Sequence, residues 1–268
     1  MKRLAFLAFL AAAVFPAALA ADGFIVVPDP PHHVVGHFSF APLQVTFHKV
    51  TVEVKDLVAV TTVDQEFYNP NDAQLEGTYL FPLPAGAHID RFSLDINGRM
   101  MEAELLPAEK ARAIYEDIVR RAKDPALLEY AGRDAFKVRI FPIEPRSRKR
   151  VRITYTELLK SDAGLVEYVY PLNTEKFSSA PLEAVSVVVT LDGKQPLKTV
   201  YCPSHDADVR RHGERKAVVG WEARDAWPDT DFKVVFSRTP DPLGIDLVTH
   251  RPAGAQGTFL LMISPAGA

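Results

Sequence analysis

Apolar and polar residues alternate along much of this chain, and the alternation predicts strands. Leu43, Val45 and Phe47, then Val50, Val52 and Val54, keep the period of two that puts every second side chain on one face of a sheet. The parity then changes. Val58 and Val60 fall on one side and Val63, Gln65 and Phe67 on the other, which predicts a bulge or a change of strand near Thr61-Thr62. Asn69-Pro70-Asn71-Asp72 is turn chemistry, because proline fixes φ and the Asx side chains can bond nearby backbone. Leu94 and Ile96 lead into Asn97-Gly98, two residues that tolerate the positive φ of a tight hairpin turn. Farther on, Phe136 to Ile143 and Val151 to Tyr155 are expected to form a strand pair around Pro145.

One segment has a different period. After Pro107, suited to a first helical turn, Ala111, Ile114, Tyr115, Ile118, Val119 and Ala122 recur at helical spacing and make one apolar stripe. Glu116 with Arg120 and Asp117 with Arg121 add i,i+4 pairs, and Pro125 stops the helix. A helix near Ala108 to Lys123 with one apolar face must lie on something, and its neighbours are strands. Beyond Leu158, short strands are predicted at Leu165–Leu172, Ala184–Leu191, Leu197–Cys202, Arg215–Trp221, Phe232–Phe236 and Thr258–Ile263, spaced as in a sandwich. The expected fold is mainly β: an antiparallel β-sandwich with one long covering helix over 43–158, followed by a second β-rich segment over 159–268.

Several landmarks stand in a definite order: QEFYNP, YLFPLP, the AEKARAIYEDIVRRA helix, DPALLEY and the FPIEP…VRITY exit. Together they resemble the VIT (vault protein and inter-alpha-trypsin) domain, over roughly Pro30 to Leu158. In inter-alpha-trypsin inhibitor heavy chains and bacterial relatives this module precedes a von Willebrand factor type A domain with a metal-ion-dependent adhesion site. The resemblance therefore implies such a domain in the full architecture, with residues 159–268 as a linker toward it. The D-x-S-x-S of that adhesion site does not occur in this sequence.

The first residues change the picture of where the chain acts. Lys2 and Arg3, an apolar run from Leu4 to Phe15 and then Ala18-Leu19-Ala20 form a secretory signal over 1–20, too short to span a bilayer, with a leader over 21–42 before the first long strand. Removing two of the 31 basic residues leaves 29 against 34 acidic ones, a mature charge of about −5, with no general attraction for nucleic acid. Export and possible envelope association permit disulfides, yet Cys202 is the single cysteine, so burial must hold the fold together. Cys202 lies in a predicted strand and is expected to be an inert, buried thiol.

Chemical candidates are few. Ser204-His205-Asp206 contains the triad residue types, but adjacent side chains are expected to point apart. His32, His33, His37 and His48 cluster near the mature N-terminus without the spacing of a metal site, and no cofactor is expected. Arg146, Arg148, Lys149, Arg150 and Arg152 form the one dense basic patch. Arg148, Arg150 and Arg152 should share a strand face opposite Val151 and Ile153, either guarding a sheet edge or binding anions. Two functional readings follow. The first is a non-enzymatic exported interaction or scaffold module, with a protein or anionic polysaccharide as partner. The second is a hydrolase or sugar-processing enzyme built from distant carboxylates such as Asp90, Asp95, Glu102 and Glu104.

Overall fold

The computed structural model describes residues 23–27, 41–102, 135–162, 164–173, 180–238, 243–250 and 256–265. Every regular element among them is a strand; the helix expected over 108–123 lies outside the described residues. The strands are β1 (Phe24–Val26), β2 (Gln44–Lys55), β3 (Val58–Tyr68), β4 (Leu75–Pro82), β5 (His88–Ile96) and β6 (Arg99–Glu102). There follow β7 (Ala135–Ile143), β8 (Arg148–Leu158), β9 (Ser161–Asp162), β10 (Leu165–Tyr170), β11 (Leu182–Asp192) and β12 (Leu197–Tyr201). The last are β13 (Asp208–Arg211), β14 (Lys216–Ala226), β15 (Phe232–Arg238), β16 (Leu243–His250) and β17 (Thr258–Pro265).

Eight strands make one broad sheet in the order β13-β14-β11-β2-β3-β8-β5-β6. A three-stranded sheet (β1-β4-β7) and a four-stranded sheet (β12-β15-β10-β9) contribute to the same apolar core, while β16 and β17 form a hairpin of their own. Most pairings are antiparallel, as expected, but β11 runs parallel to β2 from Ala184↔Phe47 to Asp192↔Lys55. That pairing draws strands from both sides of residue 158 into one sheet.

Alternation explains the layers. On β2, β3, β8 and β11 the side chains of Val50, Val52, Val63, Phe67, Ile153, Tyr155, Val187 and Val189 point inward and are buried. Tyr79 and Phe81 from the small three-stranded sheet meet Phe92 and Tyr155 with ring centroids 5.9 and 5.6 Å apart. Tyr168 and Tyr170 from β10 fill the other half of the layer and are fully buried. The opposite face of the eight-stranded sheet carries the polar set: Lys49, Thr51, Glu53, Thr62, Arg152 and Thr154.

Two expectations are corrected. No bulge occurs near Thr61-Thr62: β3 keeps its register with β2 from Val58 to Glu66 and with β8 throughout. The apparent slip came from Val58 and Val60, which belong to the outer face, while Thr61 takes an inner position by bonding the Tyr168 hydroxyl at 2.9 Å. The irregularity lies instead between Val45 and Phe47, where Thr46 is the extra residue and its hydroxyl bonds Glu66. Nor do residues 136–143 and 151–155 pair with each other. β7 pairs with β4 and β8 with β3 and β5, because the chain changes layer at 144–147. Buried Asn69 holds that crossing, donating to the carbonyls of Ile143 (3.3 Å) and Glu144 (3.0 Å) while its own N–H bonds Ser147 (2.9 Å). The Asn97-Gly98 hairpin is as expected, with φ of 54° and 78° joining β5 to β6.

Candidate functional site

β8 separates the basic patch into three environments. Arg148, Arg150 and Arg152 project from one outer face, opposite Val151 and Ile153, as their alternation predicts. Lys149 has the other parity and reaches the backbone carbonyl of Asp95 (3.2 Å). Arg146 sits in the preceding turn at φ 49° and forks onto Asp72, each side raising the other's tendency to stay charged. The role as an edge guard is overturned, since β8 lies between β3 and β5 and no edge is there to guard.

Asp64 organises the ladder. Arg150 grips it with two bonds (Nε 2.6 Å, Nη2 2.7 Å) and Arg152 with two more (Nε 3.0 Å, Nη2 2.6 Å). Burial pushes the Asp64 carboxyl up, and the two guanidinium groups outweigh it, so it titrates below the usual carboxylate range. Arg148 pairs with Glu66 (2.9 Å), and the Arg150 guanidinium also lies 5.6 Å from the centre of the Phe47 ring.

Toward β14 the same face sinks into two adjoining hollows of about 320 and 350 Å³. Phe47, Ala184 and Ser186 line the first, Ser186, Val188 and Gly220 the second, and Glu222 borders both. Sequence reasoning missed these residues, because the hollows exist only where β11 lies beside β2. Strand-interior Gly220 was the one local signal available.

Of the other candidates, His48 is fully buried and belongs to a polar chain through the core. The Tyr79 hydroxyl donates to Gln65 Oε1 (2.7 Å), and Gln65 Nε2 donates to the Gly23 carbonyl (3.0 Å) and to His48 Nδ1 (2.9 Å). With Nδ1 accepting, Nε2 carries the hydrogen and donates to the Tyr170 hydroxyl (3.0 Å). One chain of hydrogen bonds thus ties both small sheets to the large one. His32, His33 and His37 lie outside the described residues, and among those described no three His, Cys, Asp or Glu side chains gather as metal ligands.

Ser204 and His205 do not point apart: Ser204 Oγ lies 2.9 Å from His205 Nδ1. The serine also accepts the Lys233 N–H (2.8 Å), and the imidazole packs on Trp221 and Phe232 with centroids 4.5 and 5.2 Å away. Burial lowers the His205 pKa against the opposing charge of Asp229. The serine occupies the nitrogen that an orienting carboxylate would hold in a Ser-His-Asp relay, while Asp206 is exposed. Cys202, expected to be buried, is half-buried with Sγ 3.6 Å from Ser204 Oγ. Asp90 accepts from Thr156 (2.6 Å), Asp95 caps the Gly98 N–H (2.7 Å) and Glu102 pairs with Arg91 (3.4 Å). These three carboxylates line neither hollow, and Glu104 lies outside the described residues.

Residues 45–155 match the Vault protein inter-alpha-trypsin domain family. Over those residues, about two fifths of the chain, the fold is that of a VIT domain. It is similar to human von Willebrand factor A domain-containing protein 5A, at 23% identity over 252 residues, which cover 83% of this chain and 32% of that protein. Mouse protein mono-ADP-ribosyltransferase PARP4 is 33% identical over 118 residues, 44% of this chain and 6% of the relative. Human inter-alpha-trypsin inhibitor heavy chain H6 is 25% identical over 166 residues, 62% of this chain and 12% of that one. The chain spans a third or less of the length of these relatives. At a coarse level, family and relatives support an interaction module.

Proposed function

We propose that the mature chain is an exported, non-enzymatic interaction module, the N-terminal part of an inter-alpha-trypsin heavy-chain-like adhesion architecture. A von Willebrand factor type A domain belongs to that architecture. The observation that carries the reading is a VIT domain whose broad sheet, among the described residues, turns a polar outer face to solvent, on which the most buried charge, Asp64, is held by two arginines. Asp64, Glu66 and Asp72 each hold an arginine, and His48 and Gln65 hold sheets together. The signal-like first twenty residues support export.

Two measurements test it. Mass spectrometry of the native protein is expected to find an N-terminus near Ala21; intact Met1 to Ala20 on cytoplasmic protein would overturn export. A photo-cross-linking residue at Thr62, in the middle of the outer face, is expected to give discrete adducts on intact cells, and one at exposed Asp162 is not. Equal labelling from both positions, or none from Thr62, would overturn the use of this face for interaction.

A further inference from the structure

We propose that the edge of β4 is a binding site for the chain's own new N-terminal end, so that removal of residues 1–20 is the step that closes the fold. The inference rests on the export part of the reading above and adds what processing does to the structure. β1 is three residues long and lies at the rim of the three-stranded sheet, pairing Phe24↔Leu80, Ile25↔Tyr79 and Val26↔Thr78. It is the first strand, yet everything that receives it comes later in the chain. Asn71 takes hold of the backbone again at Ala41 with two bonds (2.9 and 2.8 Å), ahead of β2 in another sheet.

The receiving surface is shaped for one short sequence. Gln65 Nε2 donates to the Gly23 carbonyl (3.0 Å) while Gln65 Oε1 accepts from the Tyr79 hydroxyl (2.7 Å), so a single amide reads the backbone of the incoming strand. A Cβ on Gly23 would stand 2.7 Å from the Phe81 ring and closer to the Tyr79 hydroxyl, and a Cβ on Gly77 would collide with Ile25. Phe24, between the two, is 5% exposed. The site therefore takes an extended segment that begins with glycine and continues with a large apolar and a β-branched residue. Its free backbone supplies the pairing, and these side chains supply the selection.

Position along the chain makes docking depend on processing. Gly23 is buried, and only Ala21 and Asp22 separate it from Ala20, the end of the Ala18-Leu19-Ala20 cleavage signal. From Ala20 to Gly23 the backbone reaches at most about 11 Å, and the headgroup layer of a bilayer is about 5–7 Å thick. While Ala20 is held in the membrane, Gly23 can reach Tyr79 and Phe81 only if the β4 edge is pressed onto the headgroups. Hydrolysis of the Ala20–Ala21 amide by a membrane peptidase consumes one water and leaves a carboxylate on Ala20 and an ammonium on Ala21. That end is then free to dock. Until it does, the Gln65 amide lacks the Gly23 carbonyl and the apolar site of Phe24 is open to water.

The test compares three full-length forms in a bacterial envelope. One is the processed parent, and the second an Ala20→Tyr precursor, whose bulky residue blocks cleavage. The third is that precursor with about twenty Gly and Ser residues inserted between Ala21 and Asp22, a spacer reaching roughly 25 Å. In each, Cys202→Ser removes the native thiol, and Val26→Cys with Thr78→Cys puts two thiols on directly opposed residues, close enough to bridge when β1 is docked. The disulfide is expected in the processed and spaced forms and in less than about a tenth of the unspaced precursor. Trypsin digestion of the three forms without the cysteine changes is the second readout, with the unspaced precursor cut about tenfold faster. An unspaced precursor that is bridged and resistant like the processed chain, or a spaced one that stays open, would overturn the proposal and leave export standing. A processed chain that resists trypsin yet forms no disulfide would overturn it as well. Precursor found in the cytoplasm would remove the export reading and this one with it.

Discussion

Replacing Gln65 by leucine tests the central claim about how the sheets are held together. Gln65 is 1% exposed, and its amide satisfies three groups at once: the Tyr79 hydroxyl, the His48 ring and the Gly23 carbonyl. Leucine has similar bulk and fits an apolar core, so the burial of carbon is nearly unchanged. The cost arises from the three polar groups, each deprived of the bond that Gln65 made. A buried group left without its partner costs about 1–3 kcal/mol, and partial repair by other neighbours argues for the low end, about 3 kcal/mol in all. That is a large share of the roughly 5–15 kcal/mol by which a domain is stable. Urea unfolding followed by the fluorescence of Trp221 and Trp227 is expected to show a midpoint lowered by about 1 M. Adding Tyr79→Phe removes one stranded hydroxyl, so the double variant should be less destabilised than the sum of the two single changes. A Gln65→Leu midpoint within 0.2 M of the parent, or strict additivity with Tyr79→Phe, would refute the hydrogen-bonded chain.

Two further outcomes follow from buried groups. Burial pushes the Glu157 carboxyl up to about 7, and its Oε1 has no hydrogen-bond partner among the described residues. A raised folded-state value means the stability is present below the ordinary carboxylate range and is lost as pH rises through about 7. Glu157→Gln is therefore expected to gain about 2–3 kcal/mol at pH 8 and little at pH 5, measured by urea unfolding at both pH values; a gain equal at the two would contradict this. Asp64 works in the other direction. Its lowered value gives stability above the ordinary carboxylate range that is lost in acid, so Asp64→Asn should flatten the decline of the melting temperature below pH 4. Gly23→Ala would place a Cβ within 2.7 Å of the Phe81 ring and closer to the Tyr79 hydroxyl, at a cost of about 1–3 kcal/mol; an unshifted melting temperature would remove Gly23 from the core.

The local code of the chain determined the strands themselves. Alternation on β2, the paired positive φ of Asn97-Gly98 and the shared face of Arg148, Arg150 and Arg152 are properties of residues close in sequence, and each was legible. A pattern of period two says which side chains share a face; it does not say what that face meets. The partner of each strand was therefore decided by the tertiary structure: β7 and β8 go to different sheets, and β11 joins β2 across more than a hundred residues. Inner-face polarity was misread for the same reason. Thr61 looks like a break in an apolar stripe until Tyr168 arrives to bond it, and Gln65, which the alternation does place beside Val63 and Phe67, finds its partners Tyr79 and His48 only in the fold. The arginine ladder was visible as a charge run, but its pairing to Asp64 and its neighbourhood with Lys49, Arg224 and the Gly220 hollow exist only once five strands lie side by side. Long-range pairing brings those groups together, and no window of neighbouring residues contains it.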